Sequence, residues 1–515
     1  MLKDKDMQLS MYSILYNKIP ENHTLRLLKD QFDFSFFNKL LANTYSKYYG
    51  RPAKEPELML KLLVLQKLYD LSDVRVIEEA SLNLAYMYFL DINPEDELPH
   101  PSLLAKFRVK KLQENEFTVD EMITEVIKQG IEKGILKDTG ITIDTTHIEA
   151  NTLKATPERV MKQLAKKIFK TLQKELGEVP VIIDQDIPKY KEIEDHKEAK
   201  QTMKTYLEET IEKVEESVEL EKSPEIKEVV ENAKIILEDP KFIEQKGVRS
   251  LVDQDARVGH KSKFDNFFGY KMEYIMTTKE RMITAVRVMD GAYVDGILFK
   301  ELLELTKKSG LTIETAFGDK AYFKKHILDA IKETGAIPYI PVSAMAYKVD
   351  EDKFSYNKDS DEWFCVQGNK TIRKKTTNKN KRGQIFYKYY FEREQCRNCP
   401  LREECIKGTT VGRVLTIGIN TPEFYEYSQQ QKTDEFQEKY KERACQEWKN
   451  GEMKNFHGLD RAKGYGQKSM SIQAKLTALA VNLKRIAKIL SSKILPNLNE
   501  LPIFFYFKWE IGINW

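Results

Sequence analysis

Residues Tyr440 to Lys454 read YKERACQEWKNGEMK. Within this stretch Tyr440, Arg443, Glu447 and Lys454 follow the spacing Tyr-x2-Arg-x3-Glu-x6-Lys. An α-helix turns by about 100° per residue, so relative to Tyr440 the other three fall at about −60°, −20° and −40°. The spacing predicts one narrow stripe about 21 Å long, with Trp448, Met453 and Phe456 on the opposite side to bury the helix. An acid between two bases and a phenol suits a carboxylate that holds a cation beside groups that hold phosphate. The same pattern also suits a solvated charged face with an i,i+4 pair.

Two upstream aspartates favour the first reading. Asp144 ends the run GITID and Asp319 ends LTIETAFGD. Each follows apolar, β-branched residues and precedes a break, and reactive groups in open α/β sheets gather at strand C-terminal ends. Gly318 leaves room for a close approach. Either aspartate alone also suits a turn or a helix cap. With Glu447 they make an oxygen-only set, which suits Mg²⁺ or Mn²⁺ rather than zinc. Two such ions, about 3.5–4 Å apart, serve phosphodiester chemistry. His147 lies near Asp144, but a site of this kind needs no histidine base.

The order of elements reads as α/β. Strands are predicted at Ile141–Asp144, Tyr270–Thr277 and Met282–Met289, the last two joined by a hairpin near Thr278–Arg281. A helix over Asp295–Ser309 and a strand over Thr312–Phe317 follow. Next come a helix over Lys324–Thr334 stopped at Gly335, a strand over Ala336–Ile340, and finally the glutamate helix.

Six segments, in this order, carry a family resemblance: PHPSLLAKFRVKKL, ITIDTTHIEAN, SLVDQDAR with FGYKMEYIM, FGDKAY, the 440–454 stretch, and LTALAVNLKRI. Together they resemble a bacterial insertion-sequence transposase of the DDE type, in the IS4-like group with its YREK signature and closest to the IS1182 family. The resemblance implies an RNase H-like catalytic core. It implies that Asp144, Asp319 and Glu447 are catalytic and hold two Mg²⁺ (or Mn²⁺) ions, and that Tyr440, Arg443 and Lys454 bind DNA. Water would cut a phosphodiester at a transposon end, and the freed 3′-hydroxyl would attack target DNA. The partner is thus double-stranded DNA, and pairing two ends calls for at least a homodimer. A catalytically silent DNA-binding descendant and a metal-dependent nuclease without strand transfer are the alternatives. The chain departs from the broader group at Asn450, where an aromatic is frequent, and Gly451 within a helix costs about 1 kcal/mol relative to alanine.

The expected organisation is a helical N-terminal domain over 1–135, by resemblance the reader of transposon ends, and a core over 136–345 plus 425–492. A helical insertion over 155–247, a β-rich cysteine-containing insertion over 346–424 and an aromatic tail over 493–515 complete it. In the first, Ser102 is the candidate helix cap, with Lys106, Arg108, Lys110 and Lys111 as candidate phosphate contacts. The helical insertion is rich in Glu and Lys, and Pro224 starts a helix there. The β-rich insertion holds FYKYYFERE and RVLTIGI as strands, and Cys365, Cys396, Cys399 and Cys405 as a candidate tetrahedral zinc set with a Cys-x2-Cys clip. Reduced, unliganded thiols are the alternative. By resemblance this insertion reaches DNA near the active site. Lys320 and Tyr322 are further candidate DNA contacts, although DKAY suits a helix-start turn equally, and Arg257 and Lys271 are similar candidates.

The net charge of +3 on 515 residues does not by itself announce a nucleic-acid binder. The run Ile372–Gly383 is strongly basic and suits either phosphate contact or a solubilising loop. No apolar stretch has the length of a membrane span and no signal peptide is evident. The expectation is a cytoplasmic protein, associated with the nucleoid when bound to DNA.

Overall fold

A computed structural model describes residues 12–46, 53–137, 140–239, 242, 248–261, 264–380, 383–406 and 410–494. The aromatic stretch 501–515 and part of the basic run near 381 lie outside the described residues. The fold is mixed α/β. Its centre is β1, Gly140–Glu149, whose β-branched sequence GITIDTTHIE favours an extended backbone. On one side β1 pairs antiparallel with β3, Asn266–Thr277, from Ile141↔Thr277 to Glu149↔Gly269. On the other it pairs parallel with β5, Thr315–Phe317, which pairs parallel with β6, Ile337–Tyr339. The far edge of β3 is shared: β2, Arg257–His260, takes its first residues and β4, Ile283–Asp290, takes the rest.

Several bounds differ from the sequence reading: the strand expected over 312–317 covers only Thr315–Phe317, and the helix expected over 295–309 covers only Phe299–Lys308. β1 runs five residues beyond Asp144, because TTHIE stays β-branched and pairs fully with β3. β2 was not expected; it forms because β3 starts earlier than Tyr270 and offers NFFG as a partner edge. The β3–β4 hairpin turns through Arg281 at φ 59°, and Gly335, at φ 83°, follows the helix Lys325–Glu333.

One face of the sheet packs on the helices Phe299–Lys308 and Lys325–Glu333 through Ile141, Ile143, Ile275, Leu302, Ile327 and Ile331. The opposite face presents Met272, Tyr274, Met276 and Val286 to the closing helix Gln467–Ile494. That helix also packs on the N-terminal helices Pro56–Leu68 and Glu116–Glu132, so the N-terminal helices and the sheet share one core. Buried Lys475 of the closing helix pairs with Glu116 at 2.8 Å and Asp120 at 3.0 Å, and Asp120 also takes Arg287 of β4 at 3.0 Å.

In the N-terminal region His100, not Ser102, caps the helix Pro101–Phe107, its ring accepting from the Ser102 N–H. A helix starting with proline leaves Ser102 inside its first turn. Arg108 forks onto Asp73 and Lys111 bonds the Thr44 carbonyl, so both are engaged within the protein, whereas Lys106 and Lys110 are exposed.

The chain after β1 enters three helices, Pro157–Leu176, His196–Ser217 and Pro224–Glu238, with their own apolar cluster. It returns through an antiparallel bridge between Ala155 and Arg249. After β6 come the hairpin β7 (Phe354–Asn357) with β8 (Glu362–Cys365), and a sheet in the order β11 (Val414–Gly418), β10 (Phe386–Phe391), β9 (Thr371–Thr376). Among the described residues no helix is long and apolar enough to cross a membrane.

The helix Cys445–His457 is locked in place by polar groups. Glu452 meets Lys449 at 2.8 Å and Lys484 of the closing helix at 3.0 Å, and His457 bonds the Lys67 carbonyl at 2.8 Å. Burial alone would raise the Glu452 carboxyl, but Lys449 and Lys484 pull it from 4.5 down to about 2. This stabilisation is complete above pH 4.5 and is lost as the pH falls through about 2. Glu452→Gln should therefore lower the unfolding free energy at pH 7 by up to about 3 kcal/mol, with the deficit vanishing near pH 2. Urea unfolding across pH checks this, and an equal deficit at both ends of the range would refute it.

Candidate active site

The sheet brings the two aspartates together. Parallel pairing of β1 with β5 ends at Thr142↔Phe317. Two residues further along each chain come Asp144 and Asp319, close enough for the Asp319 charge to raise the Asp144 carboxyl. Asp319 keeps an extended backbone (φ −81°, ψ −179°) and its carboxylate accepts from the Ala321 N–H at 2.8 Å. What ends near Asp144 is thus the pairing with β5, not β1 itself. Gly318 fits this crossing because a Cβ there would lie 3.2 Å from Tyr322 Cβ and 3.4 Å from Ile143 Cγ2. Tyr322 is buried, and its hydroxyl joins Thr145 at 2.7 Å and Glu273 at 2.9 Å. It is a packing residue rather than the expected DNA contact. Lys271 is likewise engaged, with Asp295 at 2.9 Å, and Arg257 bonds the carbonyls of Gln254 and Ala256. Lys320 is exposed.

An aromatic column carries the signature segment to the same place. Phe317 of β5 stacks on Tyr339 of β6 at 5.3 Å, Tyr339 meets Phe436 at 5.5 Å, and Phe436 stacks on Tyr440 at 5.8 Å. Tyr440 ends the helix Asp434–Tyr440; Lys441–Ala444 then tightens into a 3₁₀ turn before the helix Cys445–His457. A 3₁₀ turn advances about 120° per residue, so the angles expected of one regular helix do not hold. Met453 is buried as expected, but Trp448 and Phe456 are 62% and 65% exposed. Their rings lie against the cations Arg281 and Lys484, and the buried side is Cys445, Gln446, Lys449, Met453 and His457. Gly451 serves no tight approach, since only Asn455 comes within 4.0 Å of a Cβ built there.

The residues of the signature occupy three settings. Tyr440 and Arg443 lie at the acid pair: the Tyr440 phenol and the Asp144 carboxyl both feel the Arg443 charge. Arg443 is largely buried, and its Nε has no hydrogen-bond partner among the described residues. Glu447 lies on the rim, with its side chain 74% exposed and 3.8 Å from Arg443. Lys454 reaches His147 of β1 at 3.4 Å. Beyond the helix, Gly458 turns the chain at φ 61° and residues near Arg461 pair with Glu149. This closure lays the helix along the edge of β1 that β5 has vacated.

Asn450 was not foreseen as a site residue. Its amide donates to Asp144 Oδ2 at 3.2 Å while its carbonyl accepts from the Tyr274 hydroxyl at 2.8 Å. Its spacing of three from Glu447 and four from Lys454 was the available signal.

Asp144 and Lys454 sit where their charged forms are disfavoured. Burial, with the charge of Asp319 added, pushes the Asp144 carboxyl from 3.8 up to about 6 despite Arg443. Burial, with Lys261 beside it, pushes Lys454 from 10.5 down to about 8. Burial and Lys454 lower His147 to about 4, so it is neutral near pH 7. Asp144 and Asp319 fit a divalent cation in charge and in donor type. Even so, among the described residues no three His, Cys, Asp or Glu side chains are arranged to hold a metal ion, because Glu447 faces outward. Away from this site, Cys365, Cys396, Cys399 and Cys405 all line one cavity, and Cys445 is buried in the signature helix.

A buried acid with a raised titration point costs stability once ionised. Below pH 3.8 Asp144 is protonated folded or unfolded and costs nothing; the cost grows as pH rises and is complete above about 6. Asp144→Asn should stabilise the metal-free protein at pH 7.5 by up to about 3 kcal/mol, and by nothing near pH 3.5. Denaturant unfolding at both pH values checks this; a gain independent of pH would refute it.

Two family models match parts of the chain. Residues 13–110 match a Transposase domain (DUF772), and residues 364–487 match a Transposase DDE domain. The second match contains the whole signature segment and most of the closing helix, while Asp144 and Asp319 precede it. No curated protein matches the chain. No solved structure matches it. The chain thus carries a transposase domain near its N-terminal end and a DDE transposase domain toward its C-terminal end, a combination consistent with an insertion-sequence transposase.

Proposed function

We propose that this chain is a DNA transposase of the IS4-like, YREK-bearing type closest to the IS1182 family, with an RNase H-like core. It binds insertion-sequence ends, cleaves phosphodiester bonds and joins the 3′-hydroxyl ends to target DNA. The mixed sheet, with β3 antiparallel to β1 and with β4, β5 and β6 parallel to it, supports such a core. One observation carries the catalytic reading: Asp144 of β1, with Asp319 near it, and half-buried Lys454, which reaches His147 of the same strand at 3.4 Å, both sit where their charged forms are disfavoured. A divalent metal and a DNA phosphate satisfy both groups at once.

Asp144, Asp319 and Glu447 would hold two divalent ions, Mg²⁺ or Mn²⁺. When bound, the ions supply the positive charge that activates an attacking oxygen and stabilises a leaving one. The remaining work belongs to the chain. Asn450 fixes the orientation of Asp144 through its amide. Arg443, partly exposed beside the acids, holds a phosphate oxygen through its guanidinium and neutralises charge there. Lys454 takes a neighbouring phosphate, whose charge restores its full protonation. Tyr440 donates to the same backbone or stacks on a displaced base. Exposed Lys106 and Lys110 remain available for end binding, with the protein acting as at least a dimer on paired ends. A noncatalytic DNA-binding descendant is the second reading, and the outward position of Glu447 favours it.

Purified protein, Mg²⁺ and DNA carrying the flanking inverted repeats separate these readings on a gel. We expect cleavage and strand-transfer products. Asp144→Asn, Asp319→Asn and Glu447→Gln should each cut the rate by about 10³-fold, the scale lost with one group that stabilises transition-state charge, while shifting DNA as wild type does. Shifts without cuts in the wild type would establish the second reading, and cuts without joining would mark a nuclease.

A further inference from the structure

The β-rich unit that follows β6 is poorly supplied with core. Its buried apolar cluster is Phe354, Trp363, Tyr389, Phe391, Leu415 and Ile417, with Cys396 added. Units with so little apolar burial commonly need a covalent or metal staple. Four of the five cysteines meet in that unit, although three different segments supply them. Cys365 ends β8, Cys396 lies in the short helix Arg393–Arg397, Cys399 follows it, and Cys405 ends the short helix Arg402–Cys405. All four line one cavity of about 330 Å³.

We infer that these four cysteines bind one structural Zn²⁺ ion, which staples the β7–β8 hairpin to the connection between β10 and β11. Four thiolates are the donor set zinc takes in closed tetrahedral sites, and Cys396-x2-Cys399 is a recurrent half of such sites. Binding releases the four thiol protons to solvent and leaves a centre of formal charge −2. The cavity already holds the groups that this charge needs. Arg402 and Arg413 line it, each anchored to a backbone carbonyl of a cysteine: Arg402 to Cys396 at 3.4 Å and Arg413 to Cys405 at 2.8 Å. Asn369, 5% exposed, donates its amide to Cys396 Sγ at 3.1 Å, the outer contact that orients a ligand sulfur. As they stand, no three side chains are arranged around one point, so binding draws the thiols inward from the cavity wall. The ion would be separate from the acid site in position and in donor chemistry, and this inference does not rest on the chain being a transposase.

The test uses the full-length chain purified under reducing conditions without chelator. Elemental analysis should find one zinc per chain. Four thiols should react with a thiol reagent only after a zinc chelator is added, in step with zinc release. Replacement by Co²⁺ should give thiolate-to-metal absorption. Cys399→Ser and Cys405→Ser should lose the zinc, and Asn369→Ala should weaken its binding about 10–100-fold; Cys445→Ser, outside the cavity, should keep it. The inference fails if the wild-type chain contains no zinc and takes up neither Zn²⁺ nor Co²⁺. It fails equally if the thiols react at once or are found as disulfides, or if Cys399→Ser retains a full equivalent. The wild-type thiol and metal measurements need no variant, so a misfolded substitution does not obscure the answer.

Discussion

Every residue from Met470 to Leu483 in the closing helix is buried, and the polar groups on that stretch decide how the rest of the chain is arranged around it. Gln473 bonds the carbonyls of Gly458 and Arg461 and the N–H of Lys463, at 3.0, 2.9 and 2.7 Å. These three contacts shape the turn that lays the signature helix along β1. Lys475 holds the N-terminal helix Glu116–Glu132. Asn482 bonds both the N–H and the carbonyl of Ile283, at 2.8 and 2.7 Å, in the manner of an extra strand residue. Buried polar contacts of this kind add little net stability, but each is costly to break because it orphans its partner. They specify one arrangement of the N-terminal helices, sheet and signature helix where apolar packing alone would accept several.

That specification is what allows the acid site to exist. Asp144 and Lys454 are both held where their charged forms are disfavoured, which works against folding. A surface loop carrying such groups would relax and solvate them. Here β1 is paired on one side along its whole length, and Asn450 ties the helix to it, so neither element yields. Glu447 differs, because it lies on the solvent side of its helix turn. The three acids therefore divide into two set by the sheet and one set by a helix whose first turn is irregular.

The same division explains what was legible in the sequence. The β-branched runs ending at Asp144 and Asp319 announced their strands, and Pro224 and Gly335 announced a helix start and stop, because each is a local backbone preference. The approach of the two aspartates followed from parallel pairing. Less could be read where tertiary packing overrides local pattern. Trp448 and Phe456 looked like a core face, yet the buried face is largely polar because Lys449 pairs with Glu452 of the same helix and His457 bonds the Lys67 carbonyl of the helix Pro56–Leu68. Tyr322 and Lys271 looked available to DNA, yet both are held by acids that come from distant sequence. Asn450 looked like a departure from a pattern, and its role depends on Tyr274 and Asp144, which no spacing rule connects to it.

The placement of the two large insertions follows from the parallel half of the sheet. β1, β5 and β6 run in the same direction, so their C-terminal ends lie along one edge, and Asp144 and Asp319 sit where β5 stops. The three-helix segment leaves shortly after β1, through the Ala155–Arg249 bridge, and the β-rich unit leaves after β6. Both therefore depart from the acid-bearing edge, one on each side of β5. The hairpin between β3 and β4 emerges at the opposite edge, because β3 runs antiparallel to β1, and it is a tight turn through Arg281. Chain added at the acid-bearing edge changes what surrounds the acids without disturbing the register that sets them. This edge is where the fold admits extra length at the least cost to the sheet.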